Sequence, residues 1–152
     1  MKPVDFGVAF MSMMLELALR KNYTNKGYVW NVVSLCLYMW GFNLSEIDET
    51  RHTFLDIINE KRRYDVSTGK VELVKFVKES HERKLLFITH MATVASSQSG
   101  ETTEDQFSFI GSFIGTFEIN QSDAEYALSR GEDLAGAIRF IVNTELENSE
   151  TE

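Results

Sequence analysis

The chain has 152 residues, of which 43% are hydrophobic and 12% aromatic, so its composition is that of a folded globular protein and its length that of one domain. Its net charge is −8, with 12 acidic and only 2 basic side chains in residues 101–152, which argues against a general nucleic-acid binder. Residues 51–100 carry 9 basic and 6 acidic side chains, so this part of the sequence is compatible with a basic patch.

The first apolar run is neither a membrane span nor a signal peptide. Lys2 and Asp5 precede it and Glu16 interrupts it, and it has no convincing small-residue cleavage site. The lone Cys36 cannot form an intrachain disulfide. We therefore predict a cytoplasmic protein with no transmembrane segment.

Hydrophobic residues at helical spacing predict an all-α fold of seven or eight helices, which the single proline, at position 3, does not obstruct. The first helix is expected at about residues 4–21 and the second at 28–40, with Gly41 as its C′ residue. A third helix is expected from Ser45, with Asp48 completing its cap, to about residue 61. The first helix contains three methionines that either pack in the core or form an adaptable binding surface: Met11, Met13 and Met14.

After a turn at residues 65–69, a fourth helix is predicted from about Val71. Ser80 with Glu82 either caps a fifth helix or marks a bend in one long helix. The fifth helix is apolar from Leu85 to Ala95 and ends in a small polar loop, residues 96–103.

Capping patterns predict the remaining helices. Thr103 with Gln106 has the spacing of a capping box. The next start is read in two ways, as Asn120 with Asp123 or as Ser122 with Glu125. Gly131 is expected to end that helix, and Asp133 to cap a last one.

The chain reads as one helical module written twice, at about residues 10–58 and 85–133. A shift of 75 positions, without gaps, gives these matches: Leu44 with Ile119, Ser45 with Asn120, Asp48 with Asp123, Leu17 with Ala92, and Leu19 with Val94. We predict two related helical hairpins on a shared core in a single domain, residues 1–142, followed by an acidic, frayed tail at 143–152.

These passages resemble the TerB-like family, the all-helical domains associated with tellurite resistance. The resemblance covers roughly residues 10–140. It is carried by residues 92–106 and 17–31, and by the helix starts Leu44-Ser45-Glu46 and Ile119-Asn120-Gln121. It implies an all-helical fold and a role in stress-response or membrane-linked assemblies.

The family pattern has an aspartate in the loop and a glutamate early in the next helix, which suggests a divalent-cation site. Here those positions are Ser99 and Gln106, and in the first half Thr24 and Asn31. Neutral oxygens alone hold a hard cation weakly.

Three acidic residues remain beside this loop as candidate ligands for calcium or magnesium: Glu101, Glu104 and Asp105. The alternative is that they are ordinary acidic residues favoured at the N-terminus of a helix.

Other candidates have similarly plain alternatives. Cys36 is either a nucleophile or, as we expect from its apolar surroundings, a buried packing residue. His52, His81 and His90 lack the spacing of a metal site. A basic face for a phosphate, an acidic partner or the chain's own tail would consist of Lys61, Arg62, Arg63, Arg83 and Lys84, unless these are solvated helix ends.

The function expected from these patterns is a non-catalytic helical interaction module with a protein partner or a second copy of the chain. The first alternative is a cation-binding regulator that uses the loop at residues 99–106. The second is an enzyme with a site in the groove between the repeats, although the sequence contains no phosphate-cradling loop, nucleophile elbow or zinc spacing.

Overall fold

The computed structural model describes the backbone of residues 1–21 and 24–151, and side chains as far as residue 141. This part of the chain is all-helical, as predicted. It forms seven helices: α1 Pro3–Ala18, α2 Lys26–Met39, α3 Leu44–Ile58, α4 Val66–Lys78, α5 His81–Ser97, α6 Glu104–Thr116 and α7 Gln121–Thr151. None of these helices is long and apolar enough to cross a bilayer.

Helices α1 and α5 form the centre of the molecule. They contact each other, and α2, α4 and α6 each pack against both. Helix α3 packs on α1, and α7 packs along α5. The core side chains of α1 include Met11, Met13 and Met14, so these methionines belong to the core and not to a surface.

Local capping places several helix ends where the sequence predicts them. Thr103 and Gln106 form a complete capping box at α6, and the Asn120 side chain accepts the Asp123 backbone N–H, 2.8 Å away, at α7. Ser80 caps α5, so α4 and α5 are separate helices. Gly41, at φ 92°, follows α2 as predicted.

Two helix starts differ from the prediction. Helix α3 begins at Leu44 because Asn43 and Glu46 form its capping box, where Ser45 with Asp48 was expected. Helix α4 begins at Val66, since the Asp65 side chain accepts the Thr68 N–H. The segment 65–69, predicted as a turn, is therefore mostly the first turn of a helix.

The prediction that Gly131 ends a helix is wrong. Helix α7 passes through Gly131 without a break, and a Cβ at this position would lie 2.4 Å from both the Thr89 carbonyl oxygen and the Ala92 Cβ. The glycine is thus needed for the close approach of α5 and α7. The structure also carries α7 to Thr151, and the predicted fraying of residues 143–152 stays a prediction, as does the packing of two related halves.

Candidate functional site

The loop that follows α1 and the loop that follows α5 meet at one end of the molecule. Gln106, a fully buried side chain, donates through Nε2 to the Leu17 carbonyl oxygen at 3.3 Å and to Gln98 Oε1 at 2.8 Å. Its own Oε1 accepts the Thr103 N–H at 3.1 Å. Both ends of the amide are therefore satisfied inside the protein.

Gln98 extends this network to the first loop. Its Nε2 donates to the Ala18 carbonyl oxygen at 3.1 Å and to Thr24 Oγ1 at 3.3 Å. Thr24 in turn donates to the Ala18 carbonyl at 2.9 Å. We call Thr24, Gln98 and Gln106 the loop junction. Two of its members, Thr24 and Gln106, stand where the resemblance expects acids.

Two cationic side chains from the end of α1 bridge the loops at the surface. Lys21 Nζ donates to the carbonyl oxygens of Ser99 at 3.2 Å and Gly100 at 3.4 Å. Arg20 Nη1 lies 3.1 Å from the Asp105 carboxylate, and its guanidinium lies 4.3 Å from the centre of the Phe109 ring. Burial, and then the charge of Arg139, lower the pKa of Lys21 below its ordinary value.

The candidate cation ligands are not gathered around one point. Glu101, Glu104 and Asp105 are exposed, and Asp105 is paired with Arg20. Asn31 is exposed on α2. Among the residues the structure describes, no group of three or more His, Cys, Asp or Glu side chains could hold a metal ion. A cation site at these acids stays a prediction.

Replacing Gln106 with glutamate is expected to destabilise the protein by about 2–4 kcal/mol. The new carboxylate would face the Leu17 and Gln98 oxygens with no proton to donate, so both would lose their donor. A denaturant titration measures the loss, and the exposed neighbour changed conversely, Glu104→Gln, is the control. Unchanged stability in the Gln106→Glu variant would contradict this expectation, whereas recovery of the lost stability by millimolar calcium or magnesium would support the cation hypothesis.

The cysteine and the three histidines lie in different surroundings. Cys36 is buried and burial raises its pKa to about 12, so it is protonated at neutral pH and unsuited to act as a nucleophile. His52 lies beside Asp48, and His81 Nε2 lies 3.2 Å from Asp123. His90 is fully buried in the core.

The basic candidates fall on two different elements. Lys61, Arg62 and Arg63 are exposed between α3 and α4. Arg83 and Lys84 lie in the first turns of α5. The Arg83 guanidinium is held by the Phe76 carbonyl oxygen, 3.0 Å from Nη1, and lies 3.9 Å from the centre of the Phe76 ring. It is thus a positioned cation and not simply a solvated helix end.

Arg83 borders a hollow of about 560 Å³ at the other end of α1 and α5 from the loop junction. We call this hollow the aromatic groove. Phe6 packs between three other aromatic rings that line it, with ring centres 5.1 to 5.8 Å apart: Trp40, Phe42 and Phe76. The groove cannot be seen in the sequence, because its walls come from the ends of α1, α2, α4 and α5.

A hydrogen bond to the buried His90 holds Trp40, one wall of the groove, in place. Trp40 Nε1 donates to His90 Nδ1 at 2.8 Å, so His90 carries its proton on Nε2, 3.4 Å from the Met39 sulfur. Burial lowers the pKa of His90 from 6.5 to about 3 and keeps the imidazole neutral. The only polar atom of the Trp40 side chain is therefore used inside the protein, and the groove receives an apolar wall.

No family model, curated protein sequence or solved structure matches the chain.

Proposed function

We propose that this protein is a non-catalytic, TerB-like helical interaction module that binds a protein partner or a second copy of itself through the outer face of α2. The observation that carries the proposal is an apolar, uncharged helix face left open to solvent. Residues 27–45 contain no charged side chain, although the chain as a whole carries a net charge of −8.

The exposed side chains of α2 lie close together. Leu35, Tyr38 and Met39 are spaced by three and four residues, which places them on one face, and each is 42% to 48% exposed. We call these three residues the α2 surface. Apolar side chains exposed as a group, unlike single ones, mark binding surfaces in soluble proteins.

The surroundings of α2 agree with a binding role. Trp30, on the side of the helix, borders a second hollow of about 390 Å³ together with Leu44, which is 72% exposed. Tryptophan is among the residues that most often anchor protein interfaces. The inner face of α2 packs on α1 and α5, so this surface is carried by a fixed element.

The TerB-like assignment rests on the resemblance, together with the meeting of the two loops that carry it. Thr24 and Gln106 share one hydrogen-bond network through Gln98. A role in stress-response or membrane-linked assemblies is what the resemblance implies. The cytoplasmic location stays a prediction from composition and from Cys36.

The double substitution Leu35→Lys with Tyr38→Lys is expected to abolish association and leave the fold intact, because both side chains are exposed. Light-scattering mass across a concentration series measures self-association, and retention of proteins from a lysate measures a hetero-partner. The matched control is Leu55→Lys with Val71→Lys, two apolar residues that are 42% and 55% exposed on α3 and α4.

The proposal fails if the wild-type chain stays monomeric at every concentration and retains no protein that the α2 double variant loses. Equal loss of binding in both double variants would also count against it, since the effect would then come from added charge alone.

A further inference from the structure

A different surface of the molecule has the construction of a small-molecule site. The volume of the aromatic groove, about 560 Å³, lies in the range of pockets that hold small ligands. Most of the residues that line it are hydrophobic, and four of them are aromatic: Phe6, Trp40, Phe42 and Phe76. Such a lining favours a ligand whose apolar part matches the groove in length and breadth.

The polar side chains of the groove are confined to one edge. Ser80, Glu82 and Arg83 are consecutive or nearly so at the start of α5, while the groove's other walls are hydrophobic. A ligand that satisfies both parts must be apolar at one end and polar at the other. The groove therefore selects an amphiphile.

The polar edge favours a negative end group. The hydrogen bonds described for the Arg83 guanidinium both start from Nη1, to the Phe76 carbonyl oxygen and the Glu79 carboxylate. Its Nη2 and Nε groups are left for a ligand, and the planar guanidinium suits a carboxylate. The Ser80 oxygen accepts the Arg83 backbone N–H at 3.3 Å, and none of the described residues accepts the Ser80 hydroxyl proton, so this hydroxyl can donate to a ligand. Both residues lie at the N-terminal end of α5, which adds to the attraction for an anion.

Two carboxylates next to Arg83 weaken the attraction of the groove for an anion. Glu79 lies 3.3 Å from Arg83, but its side chain is 69% exposed, and an ion pair so exposed is easily exchanged. Glu82 also lines the groove. Since the apolar walls exclude water on one side, a ligand carboxylate held there would interact with Arg83 more strongly than Glu79 does.

We propose that the aromatic groove binds a small amphiphilic carboxylic acid, with its apolar body against Phe6, Trp40 and Phe76 and its carboxylate on Arg83.

The aromatic groove meets the α2 surface at Met39, which belongs to both. Arg83 lies outside the α2 surface, and Leu35 and Tyr38 are not among the residues that line the groove, so substitutions at Arg83 and at Leu35 with Tyr38 test the two proposals separately.

The experiment uses octanoate, octanamide and octylamine as probes of equal length and different charge. In the Trp30→Phe variant, Trp40 is the one remaining tryptophan, and its fluorescence reports occupancy of the groove. Octanoate is expected to bind about tenfold more tightly than octanamide, as a charge-assisted hydrogen bond would provide. Octylamine is expected to bind more weakly than either.

Three substitutions assign the effect. Arg83→Gln is expected to remove the preference for octanoate, while Lys84→Gln, the same change of charge at the next residue, is expected to retain it. Glu79→Gln should increase octanoate affinity by about two- to fivefold, because it frees Arg83. The Glu79 side chain is exposed, and its only described contact is with Arg83, so this variant tests the proposal even if Arg83→Gln unfolds.

Several results would overturn the proposal. One is equal affinity for octanoate and octanamide. Another is octanoate binding that leaves Trp40 fluorescence unchanged. A third is an effect of Lys84→Gln as large as that of Arg83→Gln, which would reduce the site to general electrostatic attraction.

Discussion

Gly131→Ala is expected to lower the free energy of unfolding by about 3 kcal/mol, at the upper end of the usual cost of overpacking a core. The added Cβ would lie 2.4 Å from the Thr89 carbonyl oxygen, and this atom belongs to the backbone of α5. A backbone oxygen inside a helix cannot turn aside as a side chain can, so α7 would have to move away from α5. The denaturant midpoint, together with an unchanged m-value, measures the loss.

The same helix provides a control of opposite sign. A Cβ at Gly136 would meet no atom within 4 Å, so Gly136→Ala is expected to stabilise the protein by about 0.5 to 1 kcal/mol through helix propensity alone. If Gly131→Ala proved as harmless as Gly136→Ala, the close contact between α5 and α7 would be wrong.

When the pH is lowered from 7 to 5, the titration of His90 is expected to lower the free energy of unfolding by about 2 kcal/mol. In the folded protein its pKa is lowered to about 3, whereas the unfolded chain takes up a proton near the ordinary value of 6.5. As pH falls below 6.5, protons bind to the unfolded state first, so this contribution is complete above 6.5 and is lost progressively towards pH 3. The measurement is a series of denaturant titrations at fixed ionic strength.

Comparison with His90→Gln isolates the histidine from the carboxylates that titrate in the same range. Glutamine keeps an acceptor for Trp40 but does not titrate, so its stability should fall less steeply between pH 7 and pH 5. Parallel profiles for the two proteins would show that His90 is protonated as easily in the folded state as in the unfolded one.

Local chemistry was enough to predict much of this fold. Thr103 and Asn120 begin helices because their side chains accept nearby backbone N–H groups, and those partners lie three residues away in the sequence. The buried position of Cys36 likewise follows from the apolar residues around it on one helix. The N-cap of α3 was misplaced by two residues because Asn43 and Ser45 are both good caps, and sequence alone does not rank them.

The features that escaped prediction depend on distances between helices. Gly131 looks like a helix end in sequence, and only the nearness of α5 shows that it is a packing residue. The groove needs the ends of four helices before Phe6 and Arg83 can be seen to share it. The loop junction was not predicted. The resemblance singled out Thr24 and Gln106 only as positions that lack the family's acids, and Gln98, which joins them, carries no pattern of its own.

The chemistry of the hydrogen bonds between the two loops sets the conditions under which these bonds persist. The loops are joined by amides, two hydroxyls, main-chain carbonyls, Lys21 and the ion pair between Arg20 and Asp105. A junction held by a bound ion would weaken whenever that ion became scarce or its ligands were protonated. The loop junction contains only neutral amides, a hydroxyl and main-chain carbonyls, so its hydrogen bonds should persist in a chelator and at a pH low enough to protonate carboxylates.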